Sequence, residues 1–193
     1  MAAQLLSKSE AAYVAGLDAA VVDRAIDRLR IGRPFVQRRQ RARLLTPQGA
    51  FLIAADHLIA RDIAAPARKE LRKRLAAVLK EKPIEAVKEF AVPSSALPMT
   101  IDFKPVSDNV AARLLALEAA LALIVEEEEV QAGAPTFRGT RVLVRPIATA
   151  LRRGVRADDL QKDYGLSEEQ ITAARVYAEA RPSRGRPSIS ASR

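Results

Sequence analysis

Ser7-Lys8-Ser9-Glu10-Ala11-Ala12-Tyr13-Val14-Ala15-Gly16-Leu17-Asp18 is the stretch from which the fold of the front half follows. Ser7 to Glu10 opens a short helix that runs through Ala15. Gly16-Leu17 breaks it, because glycine enters the left-handed conformation that a tight turn after a helix requires. Asp18 caps a second helix, predicted over Ala19 to about Arg30. Val22, Ile26 and Leu29 recur there at the helical period with Ala25 beside them, while Arg24 and Asp27 lie opposite, flanked by Ala20 and Arg28. The small alanines let two helices cross closely, and a short helix, a glycine turn and a second helix with a polar outer face make a helix-turn-helix pattern. An ordinary helical hairpin has the same signature.

Working outward, Arg33-Pro34-Phe35-Val36-Gln37-Arg38-Arg39-Gln40-Arg41-Ala42-Arg43-Leu44-Leu45 alternates Arg39, Arg41 and Arg43 with Gln40, Ala42 and Leu44. A strand here would show three cations on one face, suited to a wing laid along a phosphate backbone. A hairpin tip is poorly specified, since Arg39-Gln40 is not a favoured turn pair. Thr46 and Pro47 start a helix expected to reach Ile63, apolar over Phe51, Leu52, Ile53, Leu58 and Ile59, with His57 read as a structural or surface histidine. Pro66 opens a further helix with Leu71, Leu75 and Val78 inward and Arg68, Lys69, Arg72 and Lys73 outward on a solvated or DNA-facing side. The segment Glu10–Asp18 resembles the corresponding segment of MerR-like and excisionase-like DNA-binding domains. The candidate DNA contacts are Arg24, Arg28, Arg30, Arg33, Arg38, Arg39, Arg41 and Arg43, whose guanidinium groups reach phosphates or guanine edges.

Charge supports a division of labour. Across 193 residues the net charge is +9, yet residues 1–80 hold 16 Lys/Arg against 7 Asp/Glu, whereas residues 81–193 hold 16 of each. The last thirteen residues carry four Arg and no acid, which leaves residues 81–180 at −4. A basic front and a mildly acidic body point to nucleic acid at one end and a different partner at the other; arginine-rich codon usage alone would not leave the body acidic. The chain has no cysteine and one histidine, which excludes disulfides, thiol catalysis and thiolate metal sites and argues against a zinc site or a Ser-His-Asp triad. No catalytic set, cofactor or metal is expected. No signal peptide or apolar run of the roughly 18 to 20 residues that a membrane span needs is present, so a cytoplasmic location is expected.

Beyond residue 80 the pattern changes. Lys88–Val92 and Met99–Phe103 are short strand candidates, and Asp108 can cap an Ala/Leu helix from Asn109 to about Leu123. Leu114, Leu115, Leu117, Leu121 and Ala122 make that helix apolar around much of its circumference, so it needs neighbours on several sides, and a homodimer interface is one way to supply them. Ile124-Val125-Glu126-Glu127-Glu128-Glu129-Val130 reads as an acidic, exposed strand; alternation sends its carboxylates to opposite faces, which disfavours a metal site. Gly139-Thr140 makes a turn before a strand over Arg141–Val144, and Pro146 starts a helix to Arg153 that Gly154 stops. A second helix carries Asp158-Asp159-Leu160, and a third begins at Ser167, with Gln170 at capping-box spacing.

Gly133-Ala134-Pro135-Thr136-Phe137-Arg138-Gly139-Thr140-Arg141-Val142 and Val144-Arg145-Pro146-Ile147 resemble the opening of the domain of unknown function 433. The likeness continues through Leu151-Arg152-Arg153-Gly154, Asp158-Asp159-Leu160, Tyr164-Gly165-Leu166-Ser167 and Ile171 to Tyr177-Ala178. Tyr164-Gly165 departs from the proline that many members carry after the aromatic residue, and the long basic front is absent from the shortest members. The resemblance is to VapB-type antitoxins, and it implies a PIN-like ribonuclease toxin as partner, whose carboxylate cluster around magnesium the tail residues Arg181, Arg184 and Arg186 could occupy. A solubilising tail or a nonspecific DNA arm has the same composition.

The expected architecture is mainly α with short β-strands: a winged-helix-like DNA-binding domain at 1–80, a three-helix bundle with a small β element at 81–180 for dimerisation and toxin binding, and a flexible basic tail at 181–193. The expected function is a homodimeric antitoxin that neutralises a ribonuclease and represses its own operon by binding operator DNA. The alternative is a stand-alone MerR-like transcription regulator with a C-terminal sensor or protein-interaction domain.

Overall fold

Ser7 begins the first helix by a reciprocal cap. Its side chain accepts from the backbone N–H of Glu10, and the Glu10 carboxylate accepts from the backbone N–H of Ser7 at 2.7 Å. That helix, α1 (Lys8–Ala15), ends at Gly16, which sits at φ 67°, where a side chain would be strained. The computed structural model describes residues 4–29, 31–39, 42–92, 99–128 and 131–182. It is mainly helical with short antiparallel strand pairs. The chain divides into two compact units, residues 1–119 and 120–193.

In the first unit, α1 is followed by α2 (Ala19–Leu29), strands β1 (Val36–Arg39) and β2 (Ala42–Leu45), and helices α3 (Pro47–Leu58) and α4 (Ala65–Glu81). Then come strands β3 (Glu89–Ala91) and β4 (Thr100–Asp102) and helix α5 (Lys104–Ala122), which crosses the division between the units. Most of the predicted face of α2 goes inward: Val22, Ala25 and Ile26 are buried while Leu29 is half-buried, and α1, α2 and α3 pack on one another. Leu6 exchanges backbone hydrogen bonds with Leu45, joining the start of the chain to β2. Gly49 permits the close approach of α3 to the entry of β1, since a Cβ there would lie 2.6 Å from the Phe35 carbonyl oxygen.

Several expected features are corrected. Arg39, Arg41 and Arg43 do not share a strand: β1 ends at Arg39, β2 starts at Ala42, and the two form an antiparallel hairpin in which Arg38 pairs with Arg43 and Arg39 with Ala42. Helix α3 stops at Leu58 rather than Ile63, leaving Leu58 exposed. On α4 the inward residues are Leu71, Leu75 and Leu79, not Val78, and Arg68 and Arg72 turn in toward α3. Their target is Asp56, the one carboxylate of α3, only 1% exposed. Arg72 donates to it at 2.7 Å and Arg28 of α2 at 3.4 Å, with Arg68 3.8 Å away. Helix α5 begins at Lys104, one turn before the expected Asn109, because the Asp102 carboxylate accepts from the Lys104 backbone N–H at 2.8 Å; Asp108 lies inside the helix, paired with Lys104.

The sequence boundary at 80/81 also differs from the division of the fold. The Phe103 ring meets those of Phe51 and Phe90 edge-on, and the Ser107 hydroxyl donates to the Ile84 carbonyl, so residues 81–119 complete the first unit.

The second unit holds β5 (Ile124–Val125) paired with β6 (Thr136–Phe137), then α6 (Val144–Arg152), α7 (Ala157–Tyr164) and α8 (Glu168–Ala180). Phe137, Ile147, Leu160, Ile171 and Tyr177 build its core, and Ser167 and Gln170 form the expected capping box. The acidic strand shrinks to two residues, with Glu126, Glu127 and Glu128 exposed beyond it. The strand predicted over Arg141–Val144 is a single bridge from Leu143 to Thr136, and α6 already starts at Val144; Pro146 is accommodated in its first turn, where an N–H has no helical partner to lose. Among the described residues no helix is long and apolar enough to cross a membrane.

The Asp56 cluster makes a quantitative demand. Arg72→Met leaves a buried carboxylate with only a largely exposed Arg28 and a distant Arg68, and is expected to cost about 3 kcal/mol in urea unfolding. Asp56→Leu combined with Arg72→Met should cost less than Arg72→Met alone. A double variant at least as unstable as the single one would show that the charges do not govern this packing.

Candidate nucleic-acid interface

One exposed part of the first unit is built from α2 and the β1–β2 hairpin. The register places the like charges Arg38 and Arg43 directly opposite each other, an unfavourable cross-strand pair unless something neutralises one of them. Arg43 is neutralised. Its guanidinium folds back onto α2, hydrogen-bonded to Asp27 and, at 3.2 Å, to Asp23. Lys8 of α1 reaches Asp23 from the other side at 3.1 Å. The hydrogen bond from Arg43, chiefly, holds the Asp27 carboxyl below its ordinary range, and the same contact raises the Arg43 pKa.

The eight arginines singled out in the sequence therefore separate. Arg43 clamps the hairpin to α2, and Arg28 donates to buried Asp56, although its side chain remains 64% exposed. Arg24 on α2, Arg33 before β1, and Arg38 and Arg39 on β1 are exposed and make no ion pair with any described residue. Arg30 and Arg41 lie outside the described residues. The clamp holds the hairpin that carries Arg38 and Arg39, which alternate to opposite faces of β1, against the helix that carries Arg24, leaving exposed cations on both elements. The Asp27–Arg43 and Asp56–Arg28 links were missed in the sequence; the signal that could have found the second was one carboxylate within the apolar run of α3.

The second unit presents different chemistry. Tyr177 of α8 is 2% exposed and donates to Glu126 at 2.6 Å, with the guanidinium groups of Arg145 and Arg181 each about 5.5 Å from its ring. Arg181 also pairs with Glu126 at 3.3 Å. This residue, read from the sequence as the start of a free tail, is thus tied to the body; Arg184 and Arg186 lie outside the described residues. The outer face of α8 carries Glu168, Glu169, Thr172, Arg175 and Glu179, a mixed and net acidic set poorly suited to phosphate. Among the described residues no group of three or more His, Asp or Glu side chains could hold a metal ion.

Comparison with known proteins follows this division. The family described as "Protein of unknown function (DUF433)" matches residues 124–178, which lie within the second unit. Across both units the chain is 30% identical over 196 residues to "Uncharacterized protein y4eO" of Sinorhizobium fredii (strain NBRC 101917 / NGR234), covering 95% of this chain and 85% of that protein. No solved structure matches.

Two titrations check the geometry. The Asp27 carboxyl should titrate below its ordinary 3.8 and move back toward it in Arg43→Gln, as read by carboxyl carbon NMR. Because its folded value is depressed, the contribution of this contact is present above pH 3.8 and is lost as pH falls through the folded value. Tyr177 behaves oppositely: burial, then its hydrogen bond to Glu126, raises it above the ordinary 10.0 despite the opposing effect of Arg181. Stability should decline as pH rises above 10.0, and Tyr177→Phe should remove that part of the alkaline decline. Equal ultraviolet titration of all tyrosines near 10.0 would contradict the buried hydrogen bond.

Proposed function

We propose that this chain, which belongs to the same family as protein y4eO of Sinorhizobium fredii and carries a DUF433 domain at residues 124–178, is a DNA-binding antitoxin. In this reading the first unit is a winged-helix-like module. Helix α2 is the recognition helix and the β1–β2 hairpin is its wing, with Arg24, Arg33, Arg38 and Arg39 on DNA. The observation that carries the reading is the segregation of these four arginines from internal carboxylates while Arg43 fixes the hairpin against α2. The surplus charge of residues 1–80 supports it.

The second unit and the tail, in the same proposal, hold a PIN-like ribonuclease toxin, a partner suggested by the resemblance of the DUF433 segment to VapB-type antitoxins. The acidic outer face of α8 suits a protein partner better than a phosphate backbone. Arg184 and Arg186 remain the residues offered to the toxin's carboxylates, whereas Arg181 anchors the tail on Tyr177. A homodimer would present two α2 helices to a palindromic operator, and Leu115, 67% exposed on α5, is an apolar contact available for it.

Operator binding measured between 50 and 200 mM salt tests the first half. The triple variant Arg24→Ala/Arg38→Ala/Arg39→Ala should flatten the slope of log K against log salt by about 2 to 3, since each phosphate contact contributes roughly 0.9. Arg152→Ala/Arg175→Ala in the second unit should leave it unchanged. An unaltered slope in the triple variant sinks the DNA surface. Co-expression with the protein encoded beside this chain tests the second half: a stable complex and rescued growth are expected. No complex, with DNA binding intact, would leave a stand-alone transcription regulator.

A further inference from the structure

A groove of about 300 Å³ opens in the first unit between α4 and a wall of Leu29, Ile31, Gly32, Arg33 and Phe35, between α2 and the hairpin. Its floor is apolar, with Leu29, Phe35 and Leu52 facing Ala76 of α4. Its rim is cationic. Lys69, Lys73 and Lys80 lie on α4 at spacings of four and seven residues, which puts them along one side of the helix, and Arg33 stands across from them. Lys73 has Glu70 at 3.8 Å, and Arg72 is occupied by Asp56. Lys69, Lys80 and Arg33 make no ion pair with any described residue.

Both walls are held in place. Phe35 donates to the Gly32 carbonyl at 3.0 Å and its own carbonyl accepts from the Thr46 backbone at 2.9 Å, against the surface that Gly49 keeps clear. Helix α4 is fixed by buried Leu71 and Leu75 and by the Arg72–Asp56 contact. The cleft is therefore preformed, and its volume lies at the small end of the roughly 300–1,000 Å³ range of ligand sites. Like charges around a partly apolar cleft repel one another, and an anion with an apolar body relieves the repulsion while covering the floor.

We propose that this groove is a binding site for a small amphipathic organic anion, its acid group held by Lys69, Lys73 and Arg33 and its apolar body lying on Phe35, Leu52 and Ala76. Phosphate alone would leave the floor uncovered, and an uncharged hydrophobe would leave the cations unmatched. The site does not depend on the antitoxin reading. It borders the end of α2 and the entry to the hairpin and shares Arg33 with the surface proposed to meet DNA, so an occupied groove would compete for that one residue.

The test uses the full-length chain and two probes that share an apolar body: 1-anilinonaphthalene-8-sulfonate and the uncharged N-phenyl-1-naphthylamine. Saturable binding of the sulfonate at one site per chain is expected, with the uncharged probe at least tenfold weaker. Lys69→Gln/Lys73→Gln should weaken the sulfonate at least fivefold and leave the uncharged probe unchanged. Ala76→Phe should abolish binding of both, with circular dichroism and the urea midpoint confirming that it folds. Equal binding of the two probes, or sulfonate binding indifferent to the lysine pair and to Ala76→Phe, overturns the proposal. So does a lysine variant that flattens the salt slope of DNA binding but leaves the sulfonate untouched, since those cations would then belong to the DNA surface. Loss of DNA binding in Arg24→Ala/Arg38→Ala/Arg39→Ala with sulfonate binding intact would separate the two sites.

Discussion

The first unit depends on a buried charge. Asp56 sits in the middle of α3 with 1% exposure, and an isolated carboxylate there would be untenable. The fold answers with guanidinium groups from both sides, Arg28 from α2 and Arg68 and Arg72 from α4. Such an arrangement is a weak source of net stability, because desolvation offsets most of the attraction. Its effect is positional: any packing of α2 and α4 on α3 that misplaces these arginines leaves the carboxylate uncompensated. The end of α2, the entry to the hairpin and the lysine-bearing side of α4 are all placed relative to that one point.

A second electrostatic device works at the surface. Arg43 would repel Arg38 across the hairpin, yet with Asp23 and Asp27 behind it the same guanidinium becomes a brace between hairpin and helix. The contact is exposed and contributes little stability. It orients the hairpin, on which Arg38 and Arg39 stay exposed on opposite faces of β1.

Local features were legible because they are encoded within one turn of chain. The Gly16 break, the Val22–Ala25–Ile26 face and the Ser167–Gln170 capping box follow from a few neighbouring residues. The DUF433 segment was legible as a motif, with its order and spacing intact. What could not be read depended on contacts between distant segments. Arg68 and Arg72 have the spacing of a solvated face, and only Asp56, sixteen residues before Arg72, draws them inward. The start of α5 moved because Asp102, assigned to a strand, also supplies a cap. The boundary at residue 80 rested on composition, whereas the fold closes only after Phe103 covers Phe51.

Composition also overstated the number of cations available to a partner, and the correction sharpens the functional reading. A positive excess spread over a solvated surface would interleave with carboxylates, as Arg74 and Lys73 do with Glu70 on α4. The acids of α2 and α3 are instead drawn to particular arginines: Asp56 to Arg28 and Arg72, Asp23 and Asp27 to Arg43. Those carboxylates are spent on fixing the helices and hairpin, and Arg24, Arg33, Arg38 and Arg39 around α2 and β1 are among the cations of the first unit that have no carboxylate partner among the described residues. Concentrated positive charge without internal partners opposes folding through self-repulsion. Exposed arginines without carboxylate partners on a braced helix and hairpin are the pattern that an external polyanion would complement.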